Sequence, residues 1–167
     1  IGTAADKLGL PSEYGVLTNP RIREVVLEDA SYLISGDRKH YKEADDCRRC
    51  GACNRDDSLL KCQICAKYID ILRKCAVIDY DDQILLACEI LERDQQVASE
   101  WRSRTRYLLI DEYQDINQAQ FCLIKLLSQG QCDGLFAVGD DDQSIYSIRG
   151  GTPDYIRGFS SCFPEEI

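Results

Sequence analysis

The chain has 167 residues, 44% hydrophobic and 29% charged, which are the proportions of a globular protein with material for one domain or one and a half. No apolar run approaches the ~20 residues that span a bilayer, and the N-terminus lacks a charged-then-apolar signal pattern, so a cytoplasmic address without a membrane partner is expected. A formal net charge of −9 argues against a free-standing nucleic-acid binder, which needs a basic surface to neutralise phosphate.

Residues 1–20 hold Gly2, Gly9, Pro11, Gly15 and Pro20 with little periodicity, and read as connecting structure. From Arg21, apolar residues at Ile22, Val25, Val26, Ala30, Leu33 and Ile34 predict an amphipathic helix that closes near Gly36. The densely charged segment from Asp37 to Asp46 is expected to be exposed.

Cysteines then dominate, in the pattern C-x2-C-x2-C-x8-C-x2-C from Cys47 to Cys65. The pairs Cys47 with Cys50 and Cys62 with Cys65 have the spacing of a tetrahedral Zn²⁺ site, each pair biting from one side. One pair is expected on a tight turn with Gly51. The other falls in the first turn of a helix predicted from Lys61 to Cys75, where the helix dipole favours thiolates. Cys53 is left over, and Cys47, Cys50 and Cys53 also suit an iron-sulfur cluster with Cys62 or Cys65 as fourth ligand. A set of inert reduced thiols is the third reading. Cys75, Cys88, Cys122, Cys132 and Cys162 lack paired spacing and read as buried small apolar residues.

Asp79 is placed to cap a helix, with Asp82 favouring its N-terminal dipole and Ile84, Leu85, Ala87, Cys88 and Leu91 forming its buried face. A polar helix from Gln96 to Ser103 carries Trp101, the only tryptophan. Arg102, Arg104 and Arg106 follow, and are expected to solvate a helix end. The run from Tyr107 to Ile110 is continuously apolar, as in a strand buried on both faces of a parallel sheet. It ends abruptly in Asp111, Glu112, Gln114 and Asp115. Carboxylates this close repel unless a cation is shared, and a Mg²⁺ ion carrying phosphates supplies one. Asn117 to Leu127 is a helical stripe, and Leu135 to Val138 a second apolar strand. A right-handed crossover makes the strands parallel and delivers Gly139 to Gln143 beside Asp111 and Glu112. Beyond an irregular stretch from Gln143 to Gly151, Thr152 and Pro153 read as the start of a helix that turns Tyr155, Ile156 and Phe159 toward a core.

On these residues the chain resembles the UvrD/Rep/PcrA family of superfamily 1 DNA helicases. DEYQD resembles the family's motif II and VGDDDQSIYSIRG its motif III, with IDYDDQILL before and GTPDYIRGF after, over residues 77–160. The resemblance implies ATP and Mg²⁺ as cofactors: Asp111 would hold the magnesium, Glu112 would orient the attacking water and Gln143 would sense the γ-phosphate. It implies that Gln114 and Asp115 link motifs rather than react, that Tyr146 and Arg149 lie toward single-stranded DNA, and that duplex junctions and repair or replication proteins are partners. Ile148 departs from the pattern, in which an aromatic commonly precedes the motif III arginine, and this puts one base-stacking contact in doubt.

The fold class expected is α/β, part of a P-loop (RecA-like) parallel-sheet motor domain. Residues 1–103 are expected to form a helical accessory subdomain (1B-like) with a Cys-rich insertion at about 47–65, and residues 104–167 a partial motor domain (1A-like). No glycine lies in a G-x-x-x-x-G-K-[ST] phosphate loop. The chain therefore reads as an internal fragment, inactive alone, of an ATP-dependent 3′–5′ helicase. The alternatives are a non-hydrolysing, metal-stabilised DNA- or protein-binding regulatory module and a cysteine-rich redox sensor.

Overall fold

The structure, a computed structural model, describes residues 4–50, 56–129, 134–140, 155 and 158–163, the side chains of 49, 50 and 160 excepted. It divides into two compact units, residues 1–86 and 87–167. Helices and two small parallel sheets make it α/β, as expected. Among the described residues no helix is long and apolar enough to cross a membrane.

In the first unit, the segment read as connecting structure contains a strand, β1 (Gly15–Leu17), paired in parallel with β2 (Val77–Asp79). Helix α1 (Pro20–Ser35) starts where the sequence says it should: Asn19 accepts hydrogen bonds from the amides of Arg21 and Ile22, and Pro20 takes the first position. Gly36 ends it at φ 75°, a conformation that suits a residue without Cβ. Its buried face matches the predicted one only in part: Ala30 is buried and Val26 packs against the core as expected. Leu27, Ala30 and Ser31 face inward, while Ile22, Val25 and Leu33 are 52%, 51% and 61% exposed. The stripe that packs is narrower because Ala30 and Ser31 allow close approach, and the buried Ser31 hydroxyl is satisfied by donating to the Asp37 carbonyl at 2.6 Å. Leu27 and Ala30 meet Ala44 of helix α2 (Tyr41–Cys50) and Ile64, Cys65, Tyr68 and Leu72 of helix α3 (Leu60–Lys74).

Helix α2 spans much of the charged segment from Asp37 to Asp46, in which Arg38, Lys39, Lys42, Glu43 and Asp46 are exposed as expected; Asp45 is the buried exception among the charged residues, and Arg48, just beyond the segment, is buried as well. The helix also places Cys47 and Cys50 in its last turn, not on a tight turn with Gly51. Charge pairing explains the burial. Nη2 of Arg48 lies 3.0 Å from Asp79 Oδ1 and 3.0 Å from Asp82 Oδ1. The guanidinium also stacks 4.8 Å from the centre of the Tyr68 ring, whose hydroxyl donates to Asp79 Oδ2 at 2.8 Å. Arg23 of α1 reaches Asp79, Asp81 and Asp45. The Asp82 amide donates to Asp79 Oδ1 at 2.8 Å, which confirms Asp79 as the cap of helix α4 (Tyr80–Arg93). Cys88 and Leu91 of α4 are buried as expected, joined by Leu86 and Ile90, while Ile84, Leu85 and Ala87 are half-buried.

In the second unit, helix α5 (Gln95–Arg104) is capped by Asp94. Arg102 donates from Nε to the Leu126 carbonyl at 2.7 Å, so this arginine does solvate a helix end. Strand β3 (Tyr107–Ile110) pairs in parallel with β4 (Gly134–Ala137), and helix α6 (Gln118–Ser128) connects them. Leu108 and Ile110 of β3 and Leu135 of β4 pack on Phe121 and Ile124 of α6, together with Tyr155, Phe163 and Phe159 of the short helix α7 (Phe159–Cys162). The expected two-sided burial of β3 is not seen: Tyr107 and Leu109 are 66% and 79% exposed, as are Phe136 and Val138 at 63% and 51%. Among the described residues, a packed layer lies on one face of this sheet.

The charge network makes a stability prediction. Burial alone would push the Asp79 carboxyl up, but Arg48, the Asp82 amide, the Tyr68 hydroxyl and Arg23 outweigh it and hold that carboxyl below its ordinary value. A depressed carboxylate stabilises the fold above its unfolded value of about 3.9 and loses that contribution as pH falls through the lower folded value. Arg48→Met is expected to cost about 3–5 kcal/mol at pH 7 by urea denaturation, since it strands a buried carboxylate. The loss of stability that the wild type shows on acidification below about pH 4 is expected to be largely absent from the variant.

Candidate functional site

Parallel pairing brings the C-terminal ends of β3 and β4 to one edge, and backbone hydrogen bonds continue beyond the strands. The Val138 amide donates to the Ile110 carbonyl at 2.8 Å, and the Tyr113 amide to the Val138 carbonyl at 2.9 Å. Asp111 and Glu112 follow directly from β3 and are exposed. Glu112 adopts φ 52° and ψ 44°, a left-handed conformation that costs a non-glycine residue about 1 kcal/mol or more. Its amide is turned onto Asp111 Oδ1 at 3.0 Å. The chain then makes one 3-10 turn, Tyr113–Asp115, which buries Tyr113 and Gln114.

Two features anchor this turn. Tyr113 is 1% exposed and meets Phe159 edge to face at 5.4 Å, and burial pushes its hydroxyl up to about 12. After the turn, Asn117 and Gln120 form a reciprocal capping box at the start of α6, with side chain-to-backbone bonds of 2.9 and 2.8 Å. The acidic pair therefore sits between a buried aromatic and a capped helix, and its carboxylates face solvent.

Gln114 was expected to link motifs rather than react. It is 1% exposed, donates from Nε2 to Glu112 Oε2 at 2.6 Å and accepts from the Asp140 amide at 3.0 Å. The expected meeting of the segment after β4 with the acidic cluster is thus observed at Asp140. Gln143, Tyr146, Ile148 and Arg149 lie outside the described residues, as do Thr152, Pro153 and Ile156. The family resemblance gave Gln114 a linking role but not its partners, which depend on the turn after Glu112. Chemically, the edge offers two solvent-facing carboxylates suited to a hard cation and to a water that must be oriented.

The cysteine segment is less complete. Cys47, Cys62 and Cys65 are buried, and the Cys65 thiol donates to the Ala44 carbonyl at 3.2 Å, which ties α3 to α2 one turn before Cys47. Cys62 lies in the first turn of α3 as expected, and Cys65 in the second. The soft donors suit Zn²⁺, but among the described residues no group of three or more His, Cys, Asp or Glu side chains is arranged to hold a metal. The Cys50 side chain and Cys53 lie outside the described residues. Elsewhere Cys88 is buried as expected, Cys122 and Cys162 are half-buried, and Cys75, expected inside, is exposed. Burial and the neighbouring Cys122 push the Cys88 thiol up to about 12; burial and Glu92 raise Cys122 as well.

The profile of the family described as "UvrD/REP helicase N-terminal domain" matches residues 23–164. The chain is 48% identical over 93 residues to a protein named ATP-dependent DNA helicase Rep from Salmonella typhimurium, a stretch covering 56% of this chain and 14% of that relative. The Escherichia coli protein of the same name is 43% identical over 93 residues, with the same shares of 56% and 14%. ATP-dependent DNA helicase UvrD1 of Mycobacterium tuberculosis is 40% identical over 100 residues, covering 56% of this chain and 13% of that protein. The aligned stretch is therefore a small part of each relative.

Thiol reactivity offers a check on the chemistry of this chain. Only a thiolate is alkylated quickly, so at pH 7.5 Cys75 is expected to react with iodoacetamide first, and Cys88 and Cys122 only on unfolding. Peptide mass spectrometry over a time course reads the order. Rapid labelling of Cys88 would contradict its raised pKa.

Proposed function

From membership of the UvrD/REP helicase N-terminal domain family, to which this chain belongs, we propose that it is the part of an ATP-dependent DNA helicase that presents the catalytic acidic pair to ATP. The observation that carries this reading is the exposed Asp111-Glu112 pair at the shared C-terminal edge of β3 and β4, with Asp140 drawn to it through Gln114. Phosphoryl transfer asks a protein for charge neutralisation and an in-line water more than for covalent chemistry. Asp111 would hold Mg²⁺, which when bound neutralises phosphate charge. Glu112 would orient and deprotonate the attacking water, and Gln143 would contact the γ-phosphate.

Tyr146 would stack on a base of single-stranded DNA and Arg149 would pair with its backbone, which needs no sequence-specific contact. Hydrolysis would then drive 3′–5′ translocation and strand separation, a polarity that rests on the family resemblance alone. The phosphate loop would come from outside these residues, so the isolated chain is expected to be inactive. The P-loop motor architecture, the accessory-subdomain boundary near residue 103, a cytoplasmic setting and repair or replication partners belong to the same proposal.

A structural Zn²⁺ held by Cys47, Cys50, Cys62 and Cys65 is proposed with it. Its support is the pairwise spacing and the Cys65 bond to α2, which brings the two cysteine-bearing helices together. An iron-sulfur cluster would show itself by visible absorption and iron content.

Two measurements on the full-length protein that carries this chain test the reading. ATP turnover is expected to rise on addition of single-stranded DNA, and Glu112→Gln to lower kcat by about 100-fold or more. Lack of turnover would favour the non-hydrolysing binding module. Metal analysis of the same sample is expected to give one zinc per chain, lost together in Cys62→Ser and Cys65→Ser; metal-free protein would leave the cysteines as ordinary thiols.

A further inference from the structure

We propose that Gln114 is a positioning residue: its side-chain amide fixes the Glu112 carboxylate and ties it to the backbone of Asp140, so that the chain leaving β4 sets where Glu112 points. The inference rests on the ATPase reading above and deepens it.

A buried primary amide must satisfy both its carbonyl and its amino group, and Gln114 does so with two partners of different kinds. Nε2 donates to Glu112 Oε2 at 2.6 Å, the short distance of a hydrogen bond to a carboxylate. Oε1 accepts the Asp140 amide at 3.0 Å. Neither bond is local secondary structure: one runs back across the turn to an exposed side chain, the other across 26 residues of sequence to the segment after β4.

Glu112 needs such a tether. It is solvent-exposed, so without a partner its carboxylate would sample several rotamers. The 3-10 turn returns the chain so that position 114, not 113, comes back beneath Glu112; Tyr113 points instead into the aromatic cluster. A glutamine at 114 is long enough to reach both partners and carries the donor and the acceptor each requires. Asparagine lacks the reach, and glutamate lacks the donor.

The bridge also defines a direction of influence. A shift of Asp140, at the head of the segment that contains Gln143, moves the acceptor-bound end of the amide and with it the donor that holds Glu112.

The test is a double-mutant cycle on ATP turnover with single-stranded DNA in the full-length protein. Gln114→Met keeps the volume and removes both bonds. It is expected to lower kcat about 10- to 100-fold while the KM for ATP changes by less than about 2-fold. In a Glu112→Gln background it is expected to add almost nothing, because a residue that acts only through Glu112 has nothing left to act on. Gln114→Glu, which keeps shape and the Asp140 bond, guards against misfolding and is expected to lose kcat to a similar extent. Multiplicative losses in the Glu112→Gln background, or an unchanged kcat in either single variant, would overturn the inference while leaving the ATPase reading standing. A wild type without turnover would overturn that reading, and this inference with it.

Discussion

A parallel pair of strands joined by one helix has no choice about where its strand ends go. Once β3 and β4 adopt the register Ile110 to Ala137, the residues that follow both strands emerge at the same edge. Everything that gives the candidate site its chemistry depends on that constraint. The carboxylates of Asp111 and Glu112 come from one strand end and the Asp140 amide from the other. Gln114 can bridge them only because the backbone bonds from Val138 to Ile110 and from Tyr113 to Val138 hold the two exits in step. The left-handed turn at Glu112 is the local strain that this arrangement tolerates, and it is offset by the burial of Tyr113 immediately after it.

The first unit is organised by a different force. Its core cluster is modest in side-chain volume, with Ala30 and Ala44 at the points of closest approach, and a set of buried charges lies beside it. Buried ion pairs are poor sources of net stability, because desolvation consumes most of the attraction. This set is imperfect even by that standard, since among the described residues Nε and Nη1 of Arg48 have no hydrogen-bond partner. What such a network does supply is specificity. Asp79 accepts from two arginines on two helices, a tyrosine on a third and the amide of Asp82, so only one placement of α1, α2 and α3 around the start of α4 satisfies it. The cysteine-bearing helix α2 is thereby fixed by Arg48, one residue from Cys47, whatever occupies the cysteines.

Local signals were legible in the chain and long-range ones were not. Asn19, Pro20 and Gly36 bracket α1 because caps act within one turn, and Asp79 reads as a cap for the same reason. The strand, helix, strand order of β3, α6 and β4 is equally visible, since apolar runs and helical periodicity are local. The buried face of α1 was read only in part, because apolar residues lie on more than one side of the helix and only its neighbours decide which pack; Ala30 does, joined by Leu27, while Ile22, Val25 and Leu33 do not. Strand β1 is three residues long, and its pairing with β2 is 62 positions away in the register Gly15 to Val77. The charged run around Asp45 and Arg48 looked solvated because its counter-charges, Arg23, Asp79 and Asp82, lie far off in sequence. At the site, the acidic pair was evident from its type and place, whereas the bridge through Gln114 depends on a 3-10 turn and a positive φ that no composition announces.

The exposed face of the β3–β4 sheet ties these observations together. The alternation that a one-sided sheet would show, apolar inward and polar outward, is absent: Tyr107, Leu109, Phe136 and Val138 are all large and apolar, yet all more than half exposed. A sequence selected for a single packed face would place polar residues there at no cost to the core formed by Leu108, Ile110 and Leu135. Retaining apolar side chains on both faces is the pattern of a sheet that carries a layer on each side. The physical unit that sets the site is larger than the turn that carries it: the buried face of the sheet holds Tyr113 in its cluster, and the paired strands hold the two exits that Gln114 joins.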